Sequence, residues 1–224
     1  GVRFIQNAFK GFASQRNFGL HEIEHKYPYV LMLDADERIT EELAREIAAL
    51  PDDNRDIGIY RFRRKDFFEG RWLKRSSGYP TWFGRLVLAS EVQVEREVHE
   101  QFRTSLGVAH LQEHIEHDSF RKGVSNWFKK QVRFSTMEAD ILERQRKPLE
   151  LRRIFDADPV TRRAGVKALV YALPFRPVLV FVLLYVVRLG FLEGGRGFRF
   201  CLLRAMYEYM IDCKKREMRR RTAA

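Results

Sequence analysis

Asp34 and Asp36, two residues apart with the small Ala35 between them, are the residues of this chain whose type and spacing most directly suggest chemistry. They close an apolar run, Tyr29-Val30-Leu31-Met32-Leu33, that reads as a strand buried on both faces of a parallel sheet. In open α/β sheets, ligands bind at the carboxyl ends of strands. Two carboxylates at such an end suit a hard divalent cation, which takes oxygen ligands and keeps places for water and substrate phosphates. The pattern points to a metal-bridged diphosphate site. The plainer alternative is a strand ending in a solvated acidic turn, because so short a motif recurs by chance.

The elements that must position these carboxylates follow from patterning. Val2 to Glu24 carries an irregular helical stripe interrupted at Gly11, and within it Gln15-Arg16-Asn17 either points to the same sheet end as Asp34 or is a solvated helix face. After the acidic turn, Thr40 is a candidate N-cap for a helix with Glu41 and Glu42 in its first turn and a stripe of Ile39, Leu43, Ile47 and Leu50; Pro51-Asp52-Asp53-Asn54 ends it. Ile57 to Phe62 alternates as a strand, and Arg63 to Trp82 is basic and aromatic, suited equally to sugar stacking, phosphate contact or single-stranded nucleic acid. Gly84 to Leu88 and Val92 to Val94 are further short strands leading to Val98-His99-Glu100. His110, His114 and His117 have helical spacing, but no Glu follows the first His, so the His-Glu-x-x-His zinc pattern is absent.

The chain of 224 residues is 45% hydrophobic and 32% charged, enough for one domain with a real core. Its net charge of +11 is unevenly placed: residues 1–151 hold 25 Lys+Arg against 24 Asp+Glu, and residues 152–224 hold 16 against 6. Such asymmetry calls for an anionic surface as partner. Ser125 to Glu143 reads as a helix and Arg144 to Pro159 as a hinge. The apolar run Val178 to Val187 is too short to span a bilayer, which takes about twenty residues. Pro174-Phe175-Arg176-Pro177 interrupts the longer segment that starts at Ala168. We therefore expect helices lying in a membrane interface, ending in a helix Phe198 to Arg221 whose basic tail meets anionic lipid; a buried core helix pair is the alternative. The apolar runs favour lipid over nucleic acid as partner. Cys201 and Cys213 read as reduced packing residues, which favours a cytoplasmic setting.

Five stretches, in order, resemble family 2 glycosyltransferases, in the branch similar to bacterial lipopolysaccharide core β-glucosyltransferases. They are Phe12-Ala13-Ser14-Gln15-Arg16-Asn17-Phe18-Gly19-Leu20, Val30 to Glu37, Arg85-Leu86-Val87, Val98-His99-Glu100, and Tyr185-x-x-Arg188-x-Gly190-Phe191-Leu192-Glu193-Gly194. The resemblance runs from Phe9 to Glu217. It implies an α/β fold of GT-A type, Rossmann-like with a mixed sheet, over residues 1–150, followed by a basic, apolar, membrane-associated helical region over 151–224. It further implies a nucleotide-diphosphate sugar donor, Mg²⁺ or Mn²⁺ as cofactor, inversion at the anomeric carbon, and a lipid-linked or lipopolysaccharide-type acceptor at the cytoplasmic face of the inner membrane.

By that resemblance Asp34 and Asp36 hold the metal on the donor diphosphate, Arg16 and Asn17 line the nucleotide, and Glu100 is the candidate general base with His99 orienting it or touching the acceptor. His117, just before Asp118, is a further candidate for a metal or phosphate contact. Family members open with a strand–loop–strand that carries the base pocket; none precedes Val2, so an N-terminally truncated domain is expected, and an inactive fragment is one alternative. The others are a non-catalytic basic membrane module and a phosphohydrolase with Asp34 as nucleophile, against which Arg38 stands where such an enzyme wants Thr or Val.

Overall fold

The computed structural model describes residues 2–51, 54–95, 100–144, 150–173 and 175–223. His99, the expected helix end at Asp52 and Asp53, the middle of the expected hinge (145–149) and Pro174 lie outside the described residues. The fold is mixed α/β. A six-stranded sheet runs in the order β1-β5-β3-β8-β2, from β1 (Tyr29–Leu31), β2 (Glu37–Ile39), β3 (Ile57–Phe68), β5 (Trp82–Leu88) and β8 (Gly107–His117), with the short β4 (Arg71–Trp72) on β3. A separate ribbon pairs β6 (Gln93–Glu95) with β7 (Gln101–Arg103). The sheet is mixed: β1 is antiparallel to β5, whereas β3 and β8 keep a constant offset, with Gly107 N–H donating to Asp56 and His117 meeting Asp66 51 residues upstream.

Three expectations change here. The Tyr29 strand is not buried between parallel neighbours; it stands at one end of the strand order, antiparallel and half-buried, and an apolar run alone does not distinguish these cases. The acidic turn is in part a strand, since Glu37 opens β2. His110, His114 and His117 lie on β8, so the period is two and His117 falls on the opposite face from His110 and His114. β3 also continues six residues beyond Phe62, through the basic stretch to Phe68, and turns into β4 over Glu69 (φ 48°) and Gly70 (φ 71°), the two left-handed residues that a type I′ turn requires. Five residues, Met32 to Asp36, link β1 to β2, the two ends of the strand order, and both aspartates sit in that link.

The chain divides into two compact units, one of residues 1–35, 39–62 and 83–114 and one of 36–38, 63–82 and 115–224. The first is built on α1 (Phe12–His21), α2 (Glu41–Ala48) and the flanking strands. Ala13 and Leu20 of α1 pack on Ile59, Val87, Val92 and Val94, with Val30, Met32 and Phe102 against them. Gly58 is required by close approach, because a Cβ there would lie 2.2 Å from Thr104 Oγ1. Thr40 caps α2 as expected, its hydroxyl accepting from Leu43 N–H at 3.2 Å, and the Leu43 side chain is fully buried. The Glu46 carboxylate accepts from the Gln112 and Glu113 N–H groups and so fixes α2 on β8.

The second unit takes in β4 and parts of β2, β3 and β8, and adds the helices: α3 (Val124–Arg144), α4 (Pro159–Ala172), α5 (Arg176–Val182) continuing as a π-turn through Val187, a 3₁₀ turn Gly190–Glu193, and α6 (Gly194–Ala223). α6 begins four residues before the expected Phe198, through three glycines that propensity alone would leave outside a helix. Asp158 caps α4 by accepting from Thr161 N–H at 3.0 Å. Buried Arg176 joins α5 to α6 through Glu208 and Asp212, each at 3.1 Å, with its guanidinium 4.4 Å from the Tyr171 ring centroid. Ala139, Tyr207 and Ile211 form the α3–α6 core. Phe198, Leu202, Met206 and Tyr209 on α6, and Phe175, Val178, Val182 and Val186 on the α5 segment, are exposed at helical spacing. Among the described residues no single helix is long and apolar enough to cross a membrane; Arg176–Val187 and Gly190–Arg221, bent by 72°, pass that test only as a pair.

Glu193 joins α6 to the segment after β4. Its carboxylate accepts from the N–H groups of Arg75 and Ser76, each at 2.9 Å, and from the Ser76 hydroxyl. Ser76 is fully buried, so its N–H and hydroxyl have no water to turn to, whereas Arg75 is exposed. Glu193→Ala is expected to destabilise the protein by about 2–3 kcal/mol, the cost of unmet buried donors, measured as a lowered urea midpoint; a midpoint unchanged from the parent would show that the cap carries no stability.

Candidate functional site

In the first unit, Asp34 sits between two guanidinium groups. Arg16 of α1 donates from Nη2 to Oδ1 at 2.6 Å, and Arg85 of β5 donates from Nη2 to Oδ2 at 2.7 Å. Arg16 also donates from Nε to Glu100 Oε1 at 2.7 Å, so one guanidinium bridges Asp34 and Glu100. Burial opposes the charge on Arg16, but Asp34 and Glu100 outweigh it and hold its pKa above the ordinary value. Arg85 is buried on an otherwise uncharged strand, and its guanidinium lies 5.7 Å from the Phe83 ring centroid. The arrangement holds Asp34 in one orientation. A cation taking either Asp34 oxygen directly would compete with a guanidinium already there.

In the second unit, Asp36 meets a different set of cations. His117, at the end of β8, pairs with Asp66 through Nδ1 at 2.6 Å and turns Nε2 toward Asp36 Oδ1 at 3.7 Å; Lys130 of α3 donates to Asp36 Oδ2 at 3.3 Å. Arg64 lies 3.0 Å from Asp66 on the same strand and 3.8 Å from Glu37. A carboxylate behind an imidazole fixes the ring and raises the basicity of its other nitrogen, the arrangement that supports histidine metal ligands. Asp36 and His117 therefore offer one oxygen and one nitrogen donor, with Asp66 holding the ring. Among the described residues no three His, Cys, Asp or Glu side chains converge to hold a metal ion by themselves. Two protein donors fit the requirement of an ion that takes its remaining ligands from substrate phosphates and water.

The structure thus brings Arg16, Asp34 and Glu100 together, and separately Asp36 and His117. Asn17 is committed elsewhere: its amide donates to Val94 O at 2.9 Å and accepts from Val94 N–H at 2.8 Å, pinning α1 to β6. Arg85, Asp66, Arg64 and Lys130 are the residues that sequence reasoning did not place in a site. Arg85 left a trace, as a charge inside an apolar strand. Asp66 left none, because a lone carboxylate among Arg, Lys and Phe reads as part of a basic surface. No protein-family model matches this chain.

The charges in the second unit are coupled. The nearby His117 imidazole holds the Asp36 carboxyl well below the usual carboxylate range, against burial and with help from Lys130. Burial pushes Asp66 up, but Arg64 and His117 prevail and its pKa is lowered. Burial likewise disfavours imidazolium at His117, yet the bonds to Asp36 and Asp66 leave its pKa raised. A raised histidine pKa stabilises the fold fully below the unfolded value of about 6.5, and that stabilisation is lost as pH rises through the folded value. In chelator, the melting temperature is expected to fall as pH is raised above neutrality, and His117→Asn to flatten that fall. Equal slopes for the two proteins would remove His117 as its source.

Proposed function

We propose that this chain acts as an inverting family 2 glycosyltransferase with a GT-A-like fold, transferring a sugar from a nucleotide-diphosphate donor to a lipid-linked or lipopolysaccharide-type acceptor at the cytoplasmic face of a membrane. The observation that carries the reading is the Asp36–His117–Asp66 line, a carboxylate and a braced imidazole in the strand-end position where the Asp-x-Asp resemblance puts a metal. Asp36 and His117 would hold the ion; an oxygen donor beside an imidazole suits Mn²⁺ better than Mg²⁺, which demands oxygen ligands. When bound, the ion would neutralise charge gathering on the departing diphosphate. In the first unit Arg16 and Arg85 orient Asp34, and Arg16 also orients Glu100.

In the transfer, the acceptor hydroxyl oxygen forms a bond to the anomeric carbon on the face opposite the diphosphate while the carbon–oxygen bond to the diphosphate breaks. The hydroxyl proton passes to a carboxylate. Glu100, held by Arg16 Nε, is the group we assign to receive it. Exposed apolar stripes on α5 and α6, together with the basic excess of residues 152–224, support peripheral membrane association and fit a lipid-borne acceptor.

Calorimetry of nucleotide-diphosphate sugars in detergent, with Mn²⁺, Mg²⁺ or chelator, tests the reading. Binding is expected to need the metal, to favour Mn²⁺, and to disappear in Asp36→Ala. Glu100→Gln should keep donor binding while transfer falls by roughly 10²–10⁴-fold, the usual worth of a general base. Metal-independent binding that survives Asp36→Ala would sink the proposal, and leave the second reading that the exposed stripes favour, a membrane-binding module without catalysis.

A further inference from the structure

A cavity of about 290 Å³ in the second unit is lined by Arg71, Trp72, Lys74 and Arg75 from β4 and the segment after it, and by Leu192 and Arg196 around the start of α6. Four of these six side chains are cationic. Glu193 also lines the cavity, but its carboxylate is spent on the Arg75 and Ser76 backbone and the Ser76 hydroxyl. Arg196 has a partner in Glu69 at 3.7 Å. Among the described residues no carboxylate pairs with the side chains of Arg71, Lys74 or Arg75, all of which are exposed. Lys74 and Lys65 each lie 5.0 Å from the Trp72 ring centroid, so the indole gathers cations on the cavity wall. Three cations without a carboxylate partner outweigh the single Glu193 charge at this concave site, which suits a compact polyanion, and Arg in particular matches phosphate geometry.

The apolar neighbours indicate where that phosphate comes from. Leu192, on the cavity wall, is 59% exposed, and Val186, Val187, Leu189 and Phe191, just before it in the chain, are exposed as well. Exposed apolar side chains next in sequence to a cationic cavity have the chemistry of a lipid site, acyl chains on one side and headgroup on the other. We propose that this cavity binds the headgroup phosphate of an anionic membrane lipid, with the lipid chains along Leu192, Phe191 and Leu189. The proposal rests on the membrane-associated part of the function proposed above, and is independent of the metal and of Glu100. It makes the basic excess of the C-terminal third a general attraction and gives the cavity the specific contact.

The test compares two triple substitutions of equal charge change in flotation with vesicles of phosphatidylcholine, alone or doped with phosphatidylglycerol. Arg71→Gln/Lys74→Gln/Arg75→Gln empties the cavity of its unpaired charge. Arg216→Gln/Arg220→Gln/Arg221→Gln removes the same charge from the end of α6. All six side chains are exposed, so both proteins should fold; the double Arg71→Gln/Arg75→Gln keeps Lys74 at Trp72 should the triple fail to. The cavity triple is expected to weaken binding to doped vesicles on the order of a hundredfold, and the tail triple by less than about tenfold. Equal losses would overturn the cavity site while leaving membrane association standing. No binding of the unsubstituted protein to either vesicle would overturn the membrane association and the lipid site together, and would leave the metal-dependent donor reading to its own test.

Discussion

Ion pairs and charge-assisted hydrogen bonds fix the orientation of a carboxylate, and Asp34 and Asp36, both partly exposed, are held by them in two different ways. Asp34 has a guanidinium on each oxygen, from Arg16 and Arg85. Asp36 has an imidazole and an ammonium, from His117 and Lys130. The difference matters chemically. A doubly clamped carboxylate is rigid and nearly spent as an acceptor, whereas one facing a neutralisable imidazole and a mobile lysine can exchange its cation. In the proposed function a metal would meet Asp36 first, while Asp34 organises the two arginines.

The same constraint explains why neighbouring elements adopt their forms. Arg85 can be buried on β5 because Asp34 meets it, and β5 can then pair with β1 directly below the aspartate link. Asp66 can be buried because β3 extends past its apolar half to bring Arg64 alongside and His117 opposite. The parallel offset of β3 and β8 puts His117 at the level of Asp66, since a shift of a single residue would turn the imidazole to the other face of the strand. Register, not helix geometry, is what makes His117 available to Asp36.

Local signals carried much of the fold. Thr40 with Glu41 and Glu42 announced α2, the periodic stripe announced α3 to within a residue at each end, alternation announced the start of β3, and the short run Gly84 to Leu88 announced most of β5. What stayed hidden depends on partners distant in the chain. Nothing near Tyr29 says that its strand takes one antiparallel neighbour; that is decided by Leu86, Val87 and Leu88. Histidines at 110, 114 and 117 fit a helical period as well as a strand, and only pairing with β3 decides between them. In the site, Arg16 and Glu100 were legible as candidates, but the bridge they form with Asp34 spans 84 residues at its longest and has no local trace.

The C-terminal motif that the chain shares in resemblance with transferases has a structural meaning of its own. Leu189 (φ 59°, ψ 32°) takes the left-handed conformation and Gly194 (φ 63°, ψ −147°) a positive-φ extended one, and they mark the two ends of the 3₁₀ turn. A Cβ at Gly190 would lie 2.6 Å from Leu184 O, so only glycine allows the turn to close on the π-segment. Glu193 then reaches the Arg75 and Ser76 N–H groups and fixes the segment carrying Arg71 to Arg75 relative to α6. None of these residues needs to touch a reacting atom for the motif to be required. Their joint product is a rigid wall of exposed Leu192 beside three unpaired cations, and such a wall keeps its shape only while Glu193 is consumed internally. A carboxylate free to swing into the cavity would take one of these cations as its own partner.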